Sequence, residues 1–194
     1  MTKIITLTGI PGVGKTTICD RLVEEAKLRG AGVDIVNFGT VMLEVMKAKY
    51  PQTDRDSIRR LPVDVQRHLQ KEAAERIVGK AVGTQYLIID THTIIRTEQG
   101  FLPGLPLHVL TVVNPSLIVL VEALPKEIMR RRTSDLSRRR EMMREEEILE
   151  ELRLSRMAAM NCSVAIGVPI KIVENREGKQ AEVAKEIINV CEEI

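Results

Sequence analysis

A glycine-rich segment near the amino terminus, GIPGVGKT at residues 9–16, has the spacing G-x-x-x-x-G-K-[ST]. A short β-branched run at residues 4–8 precedes it, and a stretch with apolar residues at helical spacing follows it, which is the context typical of a phosphate-binding motif. Glycines allow several backbone N–H groups to point at phosphate oxygens, and the N-terminus of a helix adds a partial positive charge. The segment, called here the phosphate-binding loop, therefore predicts a nucleoside triphosphate site.

Two side chains of this loop have expected roles in the chemistry, and a third residue is expected to face them. Lys15 is expected to reach the β- and γ-phosphates, and the Thr16 hydroxyl is placed to bind Mg²⁺. Asp90 ends the apolar run YLIID, and ligands of such sheets bind at the carboxyl ends of strands. We expect Asp90 to hold Mg²⁺ through water; the alternative is an aspartate that only begins a turn.

A second phosphate site would distinguish a kinase from an ATPase. Arg96 lies six residues beyond Asp90, and a guanidinium there could hold the phosphate of a second nucleotide with two hydrogen bonds. The alternative for Arg96 is an ordinary surface arginine. The sequence contains no N-K-x-D segment of the kind that reads guanine, which argues against a guanine-specific switch protein.

The segment RRRTSDLSRRR at residues 130–140 has six arginines and one aspartate, a net charge of 6 − 1 = +5. Residues 141–151 have six glutamates and one arginine, a net charge of 1 − 6 = −5, so the two blocks cancel. An extended basic surface for nucleic acid is therefore not expected. With 2% aromatic residues and no tryptophan, the chain also lacks platforms for base stacking. The second hypothesis is an ATP-dependent nucleic-acid-binding or assembly protein with the arginine block as its contact surface.

Composition predicts one domain in a reducing compartment. The chain has 194 residues, a net charge of +2 and 44% hydrophobic residues, enough for a core of ordinary size. Its three cysteines are odd in number and too widely spaced for a metal-ligand pair, which favours a cytoplasmic location. The apolar run at the amino terminus is too short for a signal peptide, and no stretch reaches the ~18 apolar residues of a membrane span.

Strand and helix patterns alternate along the chain. Strands are predicted at residues 4–8, 34–38, 86–90, 117–122 and 170–173. Helices are predicted at residues 15–29, 41–50, 62–82, after Pro125, at about 144–165 and at 180–190, and residues 101–106 are predicted to form a loop. Because the strands are apolar on both faces, we predict a doubly wound α/β fold with a five-stranded parallel sheet.

Five motifs together resemble the archaeal-type adenylate kinases. They are GIPGVGKTT, NFGTVM at residues 37–42, DRDSIRRL at 54–61, IDTHTIIRT…GFLPGLP at 89–106 and KIVENREG at 171–178. The resemblance implies the reaction MgATP + AMP ⇌ 2 ADP. It also implies one P-loop kinase domain over residues 1–194, with an AMP-binding insert at about 38–82 and a short lid at about 131–143. A homotrimer is implied by the resemblance alone.

The resemblance also assigns residues to the two nucleotides. Those expected to bind ATP are Gly9, Ile10, Pro11, Gly12, Val13, Gly14, Lys15, Thr16 and Thr17, with Asn175 and Gly178 from the loop against the adenine. Those expected to bind AMP are Thr40, Arg59 and Arg96, with Arg55 as a weaker candidate. His92 is expected to have a positional role, because the acceptor phosphate is already an anion and needs no catalytic base.

The arginine block matches the family's lid, in which an arginine is followed by an aspartate four residues later and then by two spaced arginines. Arg131, Asp135, Arg138 and Arg140 fit this pattern. The resemblance therefore implies catalytic roles for Arg131, Arg138 and Arg140 beside Lys15 and Arg96. Arg130, Arg132 and Arg139 are expected to serve the surface and the acidic helix that follows. Catalysis in such a site consists mainly of positioning and electrostatic stabilisation.

Overall fold

A computed structural model describes residues 2–97, 100–134 and 144–194 of the chain. Within those residues, one sheet contains the parallel strands β1 (Lys3–Thr8), β2 (Val33–Asn37), β3 (Tyr86–Asp90), β6 (Leu117–Glu122) and β7 (Ile170–Glu174). A separate antiparallel pair contains β4 (Ile94–Thr97) and β5 (Gly100–Pro103). The order of the parallel sheet is β2-β3-β1-β6-β7, which confirms the five-stranded prediction.

Eight helices accompany these strands in the described part of the chain. They are α1 (Lys15–Leu28), α2 (Phe38–Lys49), α3 (Arg55–Arg59), α4 (Val63–Gly79), α5 (Leu107–Val113), α6 (Pro125–Ser134), α7 (Glu145–Ile166) and α8 (Gln180–Glu193). None of the described helices is both long enough and apolar enough to cross a membrane.

Helices cover both faces of the sheet, as the apolar strands predicted. On β3, Leu87 and Ile89 pack in a cluster with α2, α4 and α5, whereas Ile88 packs in the opposite cluster with α1 and α8. Successive side chains of a strand point to opposite faces, so a strand buried on both sides must be apolar throughout. The doubly wound α/β prediction is confirmed.

The register of the central strands brings the expected site residues to one edge of the sheet. β1 pairs with β3 so that Leu7 lies beside Asp90, and β2 pairs with β3 so that Asn37 lies beside Asp90. The phosphate-binding loop leaves β1 at the same carboxyl edge, where ligands of open α/β sheets bind.

Several local predictions were wrong. Residues 101–106 do not form a simple loop, because β5 pairs with β4 and places Arg96 opposite Phe101. The short helices α3 and α5 had not been predicted. Helix α2 begins at Phe38 rather than at residue 41, because the Asn37 side chain accepts a hydrogen bond from the Thr40 N–H and caps the helix.

The predicted lid falls partly outside the described residues. Residues 131–134 continue helix α6. Arg138 and Arg140, both expected to be catalytic, and Arg139, expected at the surface, lie outside the described part of the chain. Their roles stay predictions.

Candidate active site

The phosphate-binding loop turns sharply between β1 and α1. Gly9 has a φ of 149°, and a Cβ there would lie 2.3 Å from the Val121 carbonyl oxygen, so only glycine fits this position. The Lys15 side chain is 8% exposed, and its Nζ donates a hydrogen bond of 2.9 Å to the Gly9 carbonyl oxygen. The lysine thus lies folded against its own loop, with its ammonium group at the carboxyl edge of the sheet.

His92 meets the same carbonyl. Its Nδ1 is 2.7 Å from the Gly9 oxygen and 3.3 Å from Lys15 Nζ. The short contact with the carbonyl assigns the ring proton to Nδ1 as the donor. The segment beyond β5 passes close behind, since a Cβ on Gly104 would lie 2.1 Å from the His92 carbonyl oxygen. This arrangement agrees with a positional role for His92.

Asp90 presents one carboxylate oxygen that the described residues leave unsatisfied. Its Oδ2 accepts a hydrogen bond of 2.8 Å from Asn37 Nδ2. Its Oδ1 is buried and accepts none from the described residues, and Lys15 Nζ lies 4.0 Å away. A buried, unsatisfied carboxylate oxygen is unfavourable unless a cation, water or ligand completes it.

These residues fit the magnesium that the resemblance implies. The described residues contain no cluster of three or more His, Cys, Asp or Glu side chains that could hold a metal by themselves. Mg²⁺ keeps several waters and typically uses one or two protein carboxylates together with substrate phosphates. Asp90 and the exposed Thr16, the second residue of α1, supply that kind of partial site.

A polar network continues from Asp90 into the first turn of α2. The Oδ1 of Asn37 accepts hydrogen bonds from the Thr40 N–H and the Thr40 hydroxyl, each 3.0 Å long. Arg55 Nη2 lies 2.6 Å from Thr40 Oγ1 and 3.3 Å from Asn37 Oδ1. Two of the residues predicted for AMP, Thr40 and the weaker candidate Arg55, are therefore in direct contact. Arg59, also predicted for AMP, is the last residue of α3 and is exposed.

Arg96 lies on β4 and faces the start of α7. Its side chain is 48% exposed, with Glu147 Oε1 3.9 Å and Glu151 Oε1 3.7 Å from its guanidinium. These three residues and Phe101 line a cavity of about 510 Å³. Four glutamates, at positions 146, 147, 150 and 151, line this cavity, and Arg96 is the one cation among its described lining residues. The expected contact of Arg96 with the AMP phosphate stays a prediction.

The Arg131 side chain is in contact with the backbone of the phosphate-binding loop. Its Nη1 donates to the Val13 carbonyl oxygen at 3.1 Å, and its Nη2 donates to Glu127 Oε2 at 3.0 Å and to the Asn175 carbonyl oxygen at 3.4 Å. The last turn of α6 therefore carries Arg131 to the expected ATP site. Its catalytic role stays a prediction.

Arg132 contacts the acidic helix that follows, as predicted, but it is largely buried and does not lie at the surface. Its side chain is 9% exposed and its Nη2 is 2.7 Å from Glu151 Oε2, itself 7% exposed. Its Nε donates to the Pro11 carbonyl oxygen at 2.9 Å. Burial of both charges is tolerated because each has a charged partner. Arg130, by contrast, is 60% exposed and pairs with Glu177, as a surface arginine should.

Asn175 is buried beneath the loop. It is 1% exposed, and its Nδ2 donates to the Val13 carbonyl oxygen at 2.7 Å, while its Oδ1 is buried and accepts no hydrogen bond from the described residues. Gly178, with a φ of 76°, turns the chain just before α8. The structure thus brings Asn175 against the loop itself, and the expected contact of both residues with adenine stays a prediction.

Sequence reasoning missed three residues of this site. Asn37 ends strand β2 at the carboxyl edge of the sheet, a position that should have drawn attention to it, as it did to Asp90. Arg132 and Glu151 gave no such signal, because one lies within an arginine run and the other within a glutamate-rich helix. Only the packing of α6 against α7 separates them from their exposed neighbours.

Known proteins resemble this chain along most of its length. A family model described as an AAA domain matches residues 8–149. The adenylate kinase of Methanocaldococcus jannaschii is 41% identical over 188 residues, covering 97% of each chain. The adenylate kinase of Sulfurisphaera tokodaii is 46% identical over 191 residues, covering 96% of this chain and 98% of that one. A solved sugar kinase from a Janibacter species has a TM-score of 0.55 at 15% identity, covering 97% of this chain and 94% of that one, which shows a shared fold alone.

Proposed function

Because the chain belongs to the adenylate kinase family, we propose that its site transfers the γ-phosphoryl group of MgATP reversibly to AMP and forms two ADP. One observation carries the proposal to this site: the Asp90 carboxylate, 13% exposed, lies between the phosphate-binding loop and the polar first turn of α2. A donor site on one side of a magnesium carboxylate and an acceptor site on the other is the arrangement that in-line transfer needs.

In this reaction Lys15 binds the β- and γ-phosphates, and the loop's backbone N–H groups hold the remaining oxygens. Thr16 and, through water, Asp90 would hold Mg²⁺, which would neutralise charge on the phosphates. His92 holds the Gly9 carbonyl oxygen, which lies 2.7 Å from its Nδ1 and also accepts a hydrogen bond from Lys15. No side chain has to remove a proton, because the attacking group is an ionised phosphate.

The arginines supply the remaining positive charge. Arg96 holds the AMP phosphate, with Thr40 and Arg59 on the other side of AMP. Arg131 approaches the ATP phosphates from α6, and its contact of 3.1 Å with the Val13 carbonyl oxygen supports this position. Arg138 and Arg140 complete the lid in our proposal. An arginine is preferred at these places because its planar fork holds two phosphate oxygens at once.

The nucleic-acid hypothesis gains no support from the described arginines. Arg130, Arg131 and Arg132 each pair with a glutamate, namely Glu177, Glu127 and Glu151. Guanidinium groups that are paired with carboxylates contribute little to an extended phosphate-backbone surface. We therefore propose small nucleotides, not DNA or RNA, as the partners.

Two further proposals rest on the family alone. We propose a homotrimer, which light scattering tests directly by comparing the solution mass with that of one chain. We also propose a cytoplasmic location, since ATP and AMP are the substrates.

The test of function is direct. Purified protein is mixed with MgATP and AMP, and ADP is measured by chromatography, with Lys15→Met as the inactive control. We expect ADP from the wild-type protein and little from the variant. Equal ADP from both would overturn the assignment. Replacing AMP by CMP, UMP, dTMP or GMP in the same assay measures how strictly the acceptor site selects adenine.

A further inference from the structure

Asn37 connects the expected magnesium carboxylate, Asp90, with the expected AMP-binding turn at Thr40. Its Nδ2 donates to Asp90 Oδ2 at 2.8 Å, and its Oδ1 accepts from the Thr40 N–H at 3.0 Å. The same Oδ1 lies 3.3 Å from Arg55 Nη2. One amide group thus touches the expected magnesium carboxylate with its nitrogen and the expected AMP-binding turn with its oxygen.

The sheet fixes this geometry. Asn37 is the last residue of β2 and Asp90 is the last residue of β3, and the two are paired in the parallel register. Asn37 is at the same time the N-cap of α2, with φ and ψ of −87° and 116°. The sheet and the cap thus fix the backbone positions from which the two side chains meet.

An asparagine does more here than a helix cap requires. Aspartate or serine would cap α2 about as well. Of these three, only asparagine also offers an N–H group to Asp90 Oδ2 without adding a charge or losing reach. That bond orients the carboxylate so that Oδ1, which is buried and unsatisfied among the described residues, remains available.

We propose that Asn37 is a positioning residue that couples the magnesium carboxylate Asp90 to the AMP-binding turn of α2. The amide nitrogen fixes the carboxylate, and the amide oxygen fixes Thr40 and Arg55. This inference rests on the proposed function, since it takes Asp90 as the magnesium residue and α2 as part of the AMP site. It predicts that loss of the amide weakens both the magnesium effect and AMP binding.

The test uses Asn37→Ser, which keeps a good cap and removes the amide donor. ATP binding is measured by titration calorimetry with and without MgCl₂, and AMP binding is measured without metal. We expect the gain in ATP affinity from Mg²⁺ to shrink by roughly three- to tenfold, as for loss of one partly exposed hydrogen bond to a charged group. Metal-free ATP affinity should stay as in the wild type, and AMP affinity should fall by about two- to fivefold.

A matched control changes another cap in the same region. Asp54 caps α3 by accepting a hydrogen bond from the Ser57 N–H at 2.6 Å. Asp54→Asn keeps a capping residue there and leaves the Asn37–Asp90 hydrogen bond in place, so the magnesium effect on ATP should remain that of the wild type. Asn37→Gly serves as a second variant, because glycine at an N-cap reduces stability by only a few tenths of a kcal/mol.

The results distinguish the proposed role of Asn37 from the proposed magnesium site at Asp90. A wild-type magnesium effect in folded Asn37→Ser and Asn37→Gly, or a change in AMP affinity alone, would reduce Asn37 to a helix cap and overturn the coupling. Asp90→Asn is measured in parallel and should lose most of the magnesium effect. If Asp90→Asn keeps it, the proposed magnesium site itself is wrong.

Discussion

The guanidinium of Arg132 and the carboxylate of Glu151 form a buried ion pair behind the phosphate-binding loop, with Nη2 and Oε2 2.7 Å apart. The same guanidinium donates through Nε to the Pro11 carbonyl oxygen at 2.9 Å. The pair therefore ties α6 and α7 to the loop that is expected to hold the ATP phosphates. Glu151 also lies 3.7 Å from Arg96, so one carboxylate stands between the two proposed nucleotide sites.

Removing Glu151 should destabilise the fold more than removing Arg132. Glu151→Leu leaves a buried guanidinium without this carboxylate and should lower the free energy of unfolding by about 3 kcal/mol. Arg132→Met leaves Glu151 near Arg96 and should have a smaller effect. The loss of unfolding free energy in the double variant should be smaller than the sum of the losses in the two single variants. Urea denaturation measures all three.

The control for this pair is Glu24→Gln, which removes an exposed partner of Arg21 and should change stability very little. If Glu151→Leu were as stable as that control, the pair would have no structural role.

Arg96→Ala should impair AMP use selectively. Loss of a guanidinium that holds the AMP phosphate should raise the KM for AMP by about tenfold or more, while the KM for ATP stays within about twofold. Steady-state assays in which each nucleotide is varied in turn measure both. Arg21→Ala is a matched control, because the Arg21 side chain is also 48% exposed and paired with a glutamate. Equal effects of Arg96→Ala on both nucleotides would place Arg96 elsewhere.

Gly9→Ala should damage ATP binding through the backbone. The new Cβ would lie 2.3 Å from the Val121 carbonyl oxygen at a φ of 149°, so the loop or β6 must move. Strain of this kind is worth about 1–3 kcal/mol, and we expect ATP affinity to fall by about tenfold or more. Gly79→Ala, at the end of α4 with nothing within 4 Å, should be neutral or slightly stabilising. Calorimetry with ATP and thermal unfolding compare the two, and similar ATP affinities would contradict this account of the loop.

Cys19 should make stability depend on pH in the alkaline range. Burial, reinforced by the nearby Asp90 carboxylate, raises the pKa of the Cys19 thiol from 9.0 to about 12. The folded protein therefore keeps this proton while the unfolded chain releases it, so the contribution is complete below about pH 9 and is lost as pH rises toward 12.

Between about pH 9 and 10.5 the loss from Cys19 should be roughly 1.5 kcal/mol. Urea denaturation at both pH values should show a smaller decline for Cys19→Ala than for the wild-type protein. An identical decline in both proteins would mean that the thiol is accessible to ionisation in the fold.

Much of the fold follows from local patterns. The apolar run of β3 and the glycine spacing after β1 predict their own structures, because burial on both faces and a tight turn each require particular residue types. The β4–β5 hairpin was missed, since Pro103 and Gly104 resemble loop residues and the pairing of Arg96 with Phe101 is not visible in either segment alone.

The site divides in the same way. Lys15 and Asp90 were found because each ends or follows a recognisable element. Arg132 was grouped with Arg130 because adjacent arginines look alike in sequence, and only its contacts with Pro11 and Glu151 distinguish it from that exposed neighbour. Burial of a side chain between helices that are far apart in the chain produces no periodic pattern in the sequence.

The central claim is that one chain binds ATP and AMP side by side, and a compound that joins two adenosines through a polyphosphate chain tests it most directly. Titration calorimetry should give one molecule bound per chain, with an affinity on the order of 100-fold above that of ATP, because the second nucleotide binds at a high effective concentration. Arg96→Ala should remove most of that gain. Binding no tighter than that of ATP would contradict the account.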